Sequence, residues 1–159
     1  MATKKLQVLF AAFEATPFVK TGGLGDVAGS LPAALKSRSC EVRVILPKLR
    51  SIPEQYRNKM EPLCVFQVPL GWRNQYCGIQ TLKLGKIQYY FVDNEFYFYR
   101  DNVYGYGDDC ERVAYFSKAV LECLQHLEGF FPDVIHLNDW HTALIPVFLR
   151  EQYQAMEGY

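Results

Sequence analysis

The sequence predicts an α/β domain: a mainly parallel sheet, helices on both faces, and an inserted β-hairpin. Three observations predict it. Two strand-like stretches, Leu6–Phe13 and Glu41–Pro47, flank a helical one. A second strand–helix–strand passage lies later in the chain, around Glu111–Leu127. Between them, two runs are joined at Gly85-Lys86, a pair suited to a two-residue hairpin turn with glycine first.

Leu6–Phe13 reads as a buried strand. Gly25–Lys36 reads as a helix interrupted at Pro32, which either kinks it or follows Ser30 as the cap of a second helix. In Glu41–Pro47, Val42, Val44 and Leu46 alternate with Glu41, Arg43 and Ile45, as a strand requires. These three pieces form a β-α-β unit with parallel strands and a right-handed crossover. Lys48–Pro62, polar and interrupted by proline, reads as an excursion. Cys64–Pro69 reads as a strand, and Gln75–Leu84 with Ile87–Val92 as the hairpin. Asp93–Asp109 holds six aromatic residues without a strand or helix period, so it reads as a long ordered loop. In Glu111–Leu127 the apolar face is Val113, Phe116, Val120, Cys123 with Leu124, and Leu127. Pro132 opens the strand "PDVIHL". Asp139–Gln152 is the last helix, with Leu144, Ile145, Phe148 and Leu149 on its buried side.

Composition narrows the function classes. Seventeen basic residues balance seventeen acidic ones, so the excess that marks a nucleic-acid partner is missing. No apolar run approaches the roughly 20 residues that cross a bilayer. The opening "MATKKLQVLFAAFEA" loosely imitates a signal peptide, but a buried first strand explains its short apolar run better. Five widely spaced cysteines without a C-x-x-C pair fit free thiols in a cytoplasmic protein, not a disulfide framework or a zinc site.

In a parallel sheet, ligands bind beyond the carboxyl ends of the strands. Three segments fall there: the glycine-rich stretch after the first strand, the aromatic loop, and "NDWHT" after the last strand. Gly23, Gly25 and Gly29 give G-x-G-x-x-x-G, which invites a dinucleotide reading. Glu14–Thr21 separate these glycines from the strand, and the second strand ends in Pro47-Lys48 where a ribose-binding acid is expected. The lysine precedes the glycines, so this is no Walker A loop either. What remains is an anion site. Gly22 and Gly23 let backbone N–H groups approach closely, the helix start adds partial positive charge, and Lys20 adds a full one. The plain alternative is a strand-to-helix turn with a solvated lysine.

"KTGGLGDVAGSLPAAL" (Lys20–Leu35), followed by "EVRVILP", resembles the N-terminal signature of bacterial glycogen synthases and plant starch synthases. "IPEQYRNKM", "VYGYGDDCERVAYFSKAVLE" and "DVIHLNDWHTALIPVFL" are similar to the same family in the same order, so the resemblance covers essentially the entire chain. It implies a retaining glucosyltransferase with two Rossmann-like domains, the GT-B arrangement. Glucose would pass from ADP-glucose, a co-substrate, to the non-reducing end of an α-1,4-glucan such as glycogen. The family needs no metal or resident cofactor.

Carried over by position, Lys20 takes the donor-binding lysine, and Thr21, Gly22 and Gly23 the loop against the diphosphate and sugar. Asp26 lies at the helix start. Asp109 takes the acid beside the donor glucose or acceptor, and Arg112 that stretch's arginine. His141 takes the histidine that contacts the transferred glucose, preceded by Asp139. Each has a structural counterpart: Asp139 as a helix cap, Arg112 in an ion pair, Trp140 in packing. His136 reads as a core histidine and His126 as a surface one. The sequence departs from the family at Asn138, often His, at Val113, usually Phe, and around Cys110.

The family's enzymes are much longer. Residues 1–159 are therefore expected to be an incomplete N-terminal domain without the C-terminal nucleotide-binding domain, inactive alone, with a sheet edge that favours self-association. The alternatives are a stand-alone glucan- or nucleotide-binding module and a different GT-B glycosyltransferase.

Overall fold

A computed structural model describes residues 5–156 and Tyr159; Lys4, one of the two leader-like lysines, lies outside them. Among the described residues, six strands form one sheet: β1 (Gln7–Ala11), β2 (Glu41–Pro47), β3 (Glu61–Leu70), β4 (Arg73–Leu84), β5 (Ile87–Asp93) and β6 (Val134–Leu137). Their order is β3-β4-β5-β2-β1-β6. β5, β2, β1 and β6 run parallel, while β3 and β4 extend the sheet antiparallel from β5. The sheet is thus mainly parallel with a hairpin-built wing.

The β-α-β unit is present. α1 (Gly23–Ser37) links β1 to β2, and α4 (Asp109–Cys123) links β5 to β6. The first crossover moves away from β1 in one direction and the second returns to its other side. With right-handed crossovers, that reversal puts α1 and α4 on opposite faces. Side chains agree: Phe18 packs edge-on against Tyr89 and Phe91 on one face. Alternate residues point the other way, where Arg43 meets Tyr90 and the Phe130 ring that follows α4. Coverage on both faces explains why Ile45 is buried with Val44 and Leu46 instead of alternating out.

Several elements differ from the sequence reading. α1 is one continuous helix through Pro32. Ser30 does not cap a second helix; its hydroxyl donates back to the Asp26 carbonyl at 2.8 Å, inside the helix. The excursion after β2 contains a single turn, α2 (Glu54–Arg57). The aromatic loop opens with another, α3 (Glu95–Phe98), because the Asn94 side chain accepts from the Tyr97 N–H at 3.2 Å. The last helix is not uniform: a 3₁₀ turn at Trp140–Thr142 leads into α5 (Leu144–Phe148) and a π-helical turn at Leu149–Tyr153. Of its expected inner side, Ile145 is buried, while Leu144, Phe148 and Leu149 are half-buried.

The predicted hairpin turn stands: Leu84 pairs with Ile87, and Gly85 has φ +58°. An equal turn joins β3 to β4, where Leu70 pairs with Arg73 and Gly71 has φ +60°. The sequence carried the same glycine-first signal there.

Candidate functional site

The site lies at the carboxyl ends of the parallel strands, on both sides of β1, where the strand order reverses. β1 leads into Ala12–Gly22, β5 into the aromatic loop, and β6 into Asn138–Thr142. Asn138 fixes the last of these: its amide donates to the Ala11 carbonyl at 2.9 Å and to His136. The three segments touch. The Thr21 hydroxyl lies 3.4 Å from the Tyr104 hydroxyl. The Tyr104 ring packs against Trp140 and His141, with centroids 6.2 and 5.6 Å away.

The glycine loop is anchored by Glu14, a residue the sequence reading did not select. Its buried carboxylate accepts from the Thr21 N–H and, at 2.6 Å, from the Thr21 hydroxyl. The signal was available, because Glu14 is the only charge between Lys5 and Lys20. A charge in that apolar run demands partners. Lys20 is exposed and pairs with Asp26 at 2.8 Å.

The glycines divide into two kinds. A Cβ on Gly29 would stand 1.9 Å from the Thr16 hydroxyl oxygen and 2.8 Å from its carbonyl oxygen, so this glycine serves close packing. A Cβ on Gly25 would press on the Lys20 side chain at 3.0 Å. Gly22 and Gly23 would meet nothing within 4 Å. Gly22 is extended, with φ −153°, a conformation open to any residue. Neither packing nor backbone geometry therefore asks for glycine at 22 and 23. The N-terminus of α1 receives no side-chain cap from Gly22, and its first N–H groups lack intrahelical acceptors. Open space and N–H donors thus lie together at the start of α1, beside the Lys20–Asp26 pair.

Asp109 and Arg112 come together, but they face each other. Asp109 accepts from the N–H groups of Gly105 at 2.5 Å and Tyr106 at 3.0 Å, and from the Arg112 guanidinium at 2.6 Å. Burial pushes its carboxyl up, yet these donors outweigh that and hold it below the usual range. Arg112 is 1% exposed and also donates to the Tyr97 carbonyl at 2.7 Å, leaving only Nη2 without a partner. Both residues tie the aromatic loop to α4.

His141 is different. It is buried, stacked between Phe13, 4.5 Å away, and Trp140, 3.9 Å away. Neither ring nitrogen has a partner. Burial depresses its pKa against the opposing pull of Asp139, Glu14 and Asp109, so near pH 7 the ring is neutral, with one donor and one acceptor to offer. Asp139 accepts from the Trp140 N–H at 2.7 Å and begins the turn, as a cap does. Its φ of +66° with ψ of 176° lies in a region almost reserved for glycine. This strained corner turns the chain so that His141 points inward while Trp140 stays half-exposed.

His126 is exposed, stacked on Phe66 at 4.8 Å, and His136 stacks on Phe10 at 4.6 Å. All five cysteines are free thiols. Burial pushes Cys77 up to about 12 and Cys123 well above its ordinary value, so neither is a nucleophile. No helix among the described residues is long and apolar enough to cross a membrane.

The chain is 57% identical over 148 residues to a glycogen synthase of Desulfitobacterium hafniense, which covers 93% of this chain and 32% of that one. It is 48% identical over 158 residues to a glycogen synthase of Clostridioides difficile, covering 97% and 33%. Among solved structures, the catalytic domain of starch synthase IV from Arabidopsis thaliana, bound to ADP and acarbose, superimposes with a TM-score of 0.84 at 30% identity. That match covers 94% of this chain and 31% of the other. The chain spans about a third of the length of these relatives. Residues 7–159 match the family described as starch synthase catalytic domain, and the chain belongs to that family.

Proposed function

We infer that this chain forms one wall of the active site of a retaining glucosyltransferase, which moves glucose from ADP-glucose to the non-reducing end of an α-1,4-glucan. One observation carries the reading. The glycine loop is open at Gly22 and Gly23 and meets the neutral, unpartnered His141 across Tyr104. An anion surface beside a free imidazole suits a diphosphate joined to a sugar. The relative bound to ADP and acarbose supports the same pair of ligands.

Chemically, cleavage of the glucosyl–diphosphate bond builds negative charge on the leaving oxygens. Lys20 and the N–H groups of Gly22 and Gly23 stabilise that charge. His141, whose unpartnered ring nitrogens lie covered beside Tyr104 and Trp140, holds the transferred glucose through its hydroxyls once those rings move aside. Asp109 and Arg112 act from behind by shaping the loop that carries Tyr104. No metal or resident cofactor enters this scheme, and a second domain supplies the remaining nucleotide contacts. The setting is cytoplasmic. Alone, the chain transfers no glucose, because the reaction needs groups from both sides of a cleft.

The test joins this chain to the remaining two thirds of a close relative, such as the Desulfitobacterium glycogen synthase. The chimera should transfer glucose from ADP-glucose to glycogen. Lys20→Ala should lower kcat/KM at least tenfold. A folded chimera without transfer, or Lys20→Ala with unchanged kinetics, contradicts the reading.

A further inference from the structure

At the amino edge of the sheet, opposite the glycine loop, lies an open pocket of about 590 Å³. Its floor is a change of character along one sheet face. Beneath α4, Ile45, Ile79 and Val92 are buried. Nearer the amino edge the same face turns polar. Arg43 pairs with Gln88, and Gln88 with Lys83, in one row across three strands. Ladder partners point to the same side, so the row faces the pocket together. α4 ends at Cys123, and a 3₁₀ turn, Leu124–His126, follows it. Leu127 and Glu128 then form one rim and leave the row open.

The pocket's charges do not cancel. Lys36, Arg43, Lys83 and Lys86 line it with Glu41 and Glu128, an excess of two positive charges in a chain balanced overall. Glu41 is shared, 3.3 Å from Lys36 and 4.0 Å from Arg43. Among the described residues, Lys83, Lys86 and Glu128 have no ion pair and no side-chain hydrogen bond. Arg43 is held in place: Nη1 donates to the Tyr90 hydroxyl, and the guanidinium lies 4.3 Å from the Phe130 ring. Gln88 donates its amide to the Thr81 hydroxyl, which leaves its side-chain carbonyl to accept.

We propose that this pocket binds a monophosphorylated sugar. A phosphate monoester carries about −1.5 to −2 near neutral pH, which matches the excess of two. Arg43 and Lys83 stand two strand spacings apart, roughly 10 Å, a span that two long side chains close around one phosphate. The ordered guanidinium gives directed N–H donors, and the lysines give point charges. The Glu128 carboxylate and the Gln88 carbonyl are acceptors, and acceptors suit hydroxyls. A purine finds no open ring to stack on, because Tyr90 is 3% exposed, so a sugar phosphate fits where a nucleotide does not. The volume lies within the usual small-molecule range of about 300–1,000 Å³.

Glucose 6-phosphate added to the ¹⁵N-labelled chain at constant ionic strength tests the pocket. The Lys83, Gly85, Lys86 and Gln88 amides should shift saturably, while Gly22 and Gly23 stay still. Lys83→Ala/Lys86→Ala should weaken binding at least tenfold. Lys59→Ala, which removes an exposed lysine outside the pocket, should not. Glu128→Ala should weaken glucose 6-phosphate more than inorganic phosphate, and ADP should leave Gly85 unmoved. These variants replace exposed side chains, and unfolding midpoints check the fold. Absent or unsaturable shifts overturn the proposal, as does an undiminished response in the double variant. Inorganic phosphate binding as tightly as the sugar phosphate also overturns it, and so does a Glu128→Ala effect equal for both. The transfer reading is untouched by any of these failures, because the pocket shares no residue with the glycine loop or His141.

Discussion

The glycine loop and the aromatic loop meet at one edge of the sheet but are built in opposite ways. In the aromatic loop the polar groups answer each other: Asn94 caps Tyr97, Asp109 binds the Gly105 and Tyr106 amides, and Arg100 closes on Asp108. What remains outward is largely rings. In the glycine loop, Glu14 pins Thr21 from below, and the next two residues have no side chain and no neighbour above. One loop is a frame that presents surfaces. The other is left open, with free space where two side chains would stand.

The contrast can be broken at its stiffest point first. Arg112→Ala removes the buried cation that Asp109 and the Tyr97 carbonyl depend on. It should cost about 3–5 kcal/mol in urea unfolding. A loss below about 1 kcal/mol would mean the frame does not rest on that pair. Gly29→Ala comes next. The new methyl collides with Thr16, and overpacking of this kind costs about 1–3 kcal/mol. Gly22→Ala and Gly23→Ala should stay within about 1 kcal/mol of the parent in the same assay. If all three glycines destabilise equally, the division between packing and contact glycines fails.

Much of this was legible in sequence. The β-α-β unit, the Gly85 turn and the convergence of three segments follow from periodicity and from the rule on strand ends. Less legible was the character of each residue. Asp109 and Arg112 look like ligand-binding groups in a motif, and only coordinates show both Asp109 oxygens and most of the guanidinium directed inward. Glu14 was readable as an isolated charge in an apolar run. The Asn94 turn was hidden by its aromatic neighbours, whose packing, not their spacing, sets the local structure.

Titration sharpens the comparison. Burial lowers the His141 pKa, so the folded chain holds that proton less tightly than the unfolded chain does. Its share of stability is complete above the ordinary histidine value near 6.5 and declines as pH falls from there through the lowered value. Unfolding between about pH 7.5 and 5 should show this decline, and His141→Gln should flatten it. The depressed carboxyls of Asp108, Asp109 and Glu111 act lower, near and below about pH 4. The smallest effect belongs to Lys20→Ala. An exposed pair with Asp26 is worth roughly 0–1 kcal/mol, so stability should barely move while ligand response falls.

The central claim, that Gly22 and Gly23 are a contact surface for a diphosphate, is tested most directly by amide NMR of the ¹⁵N-labelled chain titrated with ADP. The account predicts saturable shifts of the Thr21, Gly22 and Gly23 amides, with Gly71 and Gly85 unmoved. Still Gly22 and Gly23 signals at millimolar ADP, or shifts centred on Gly85, would contradict it.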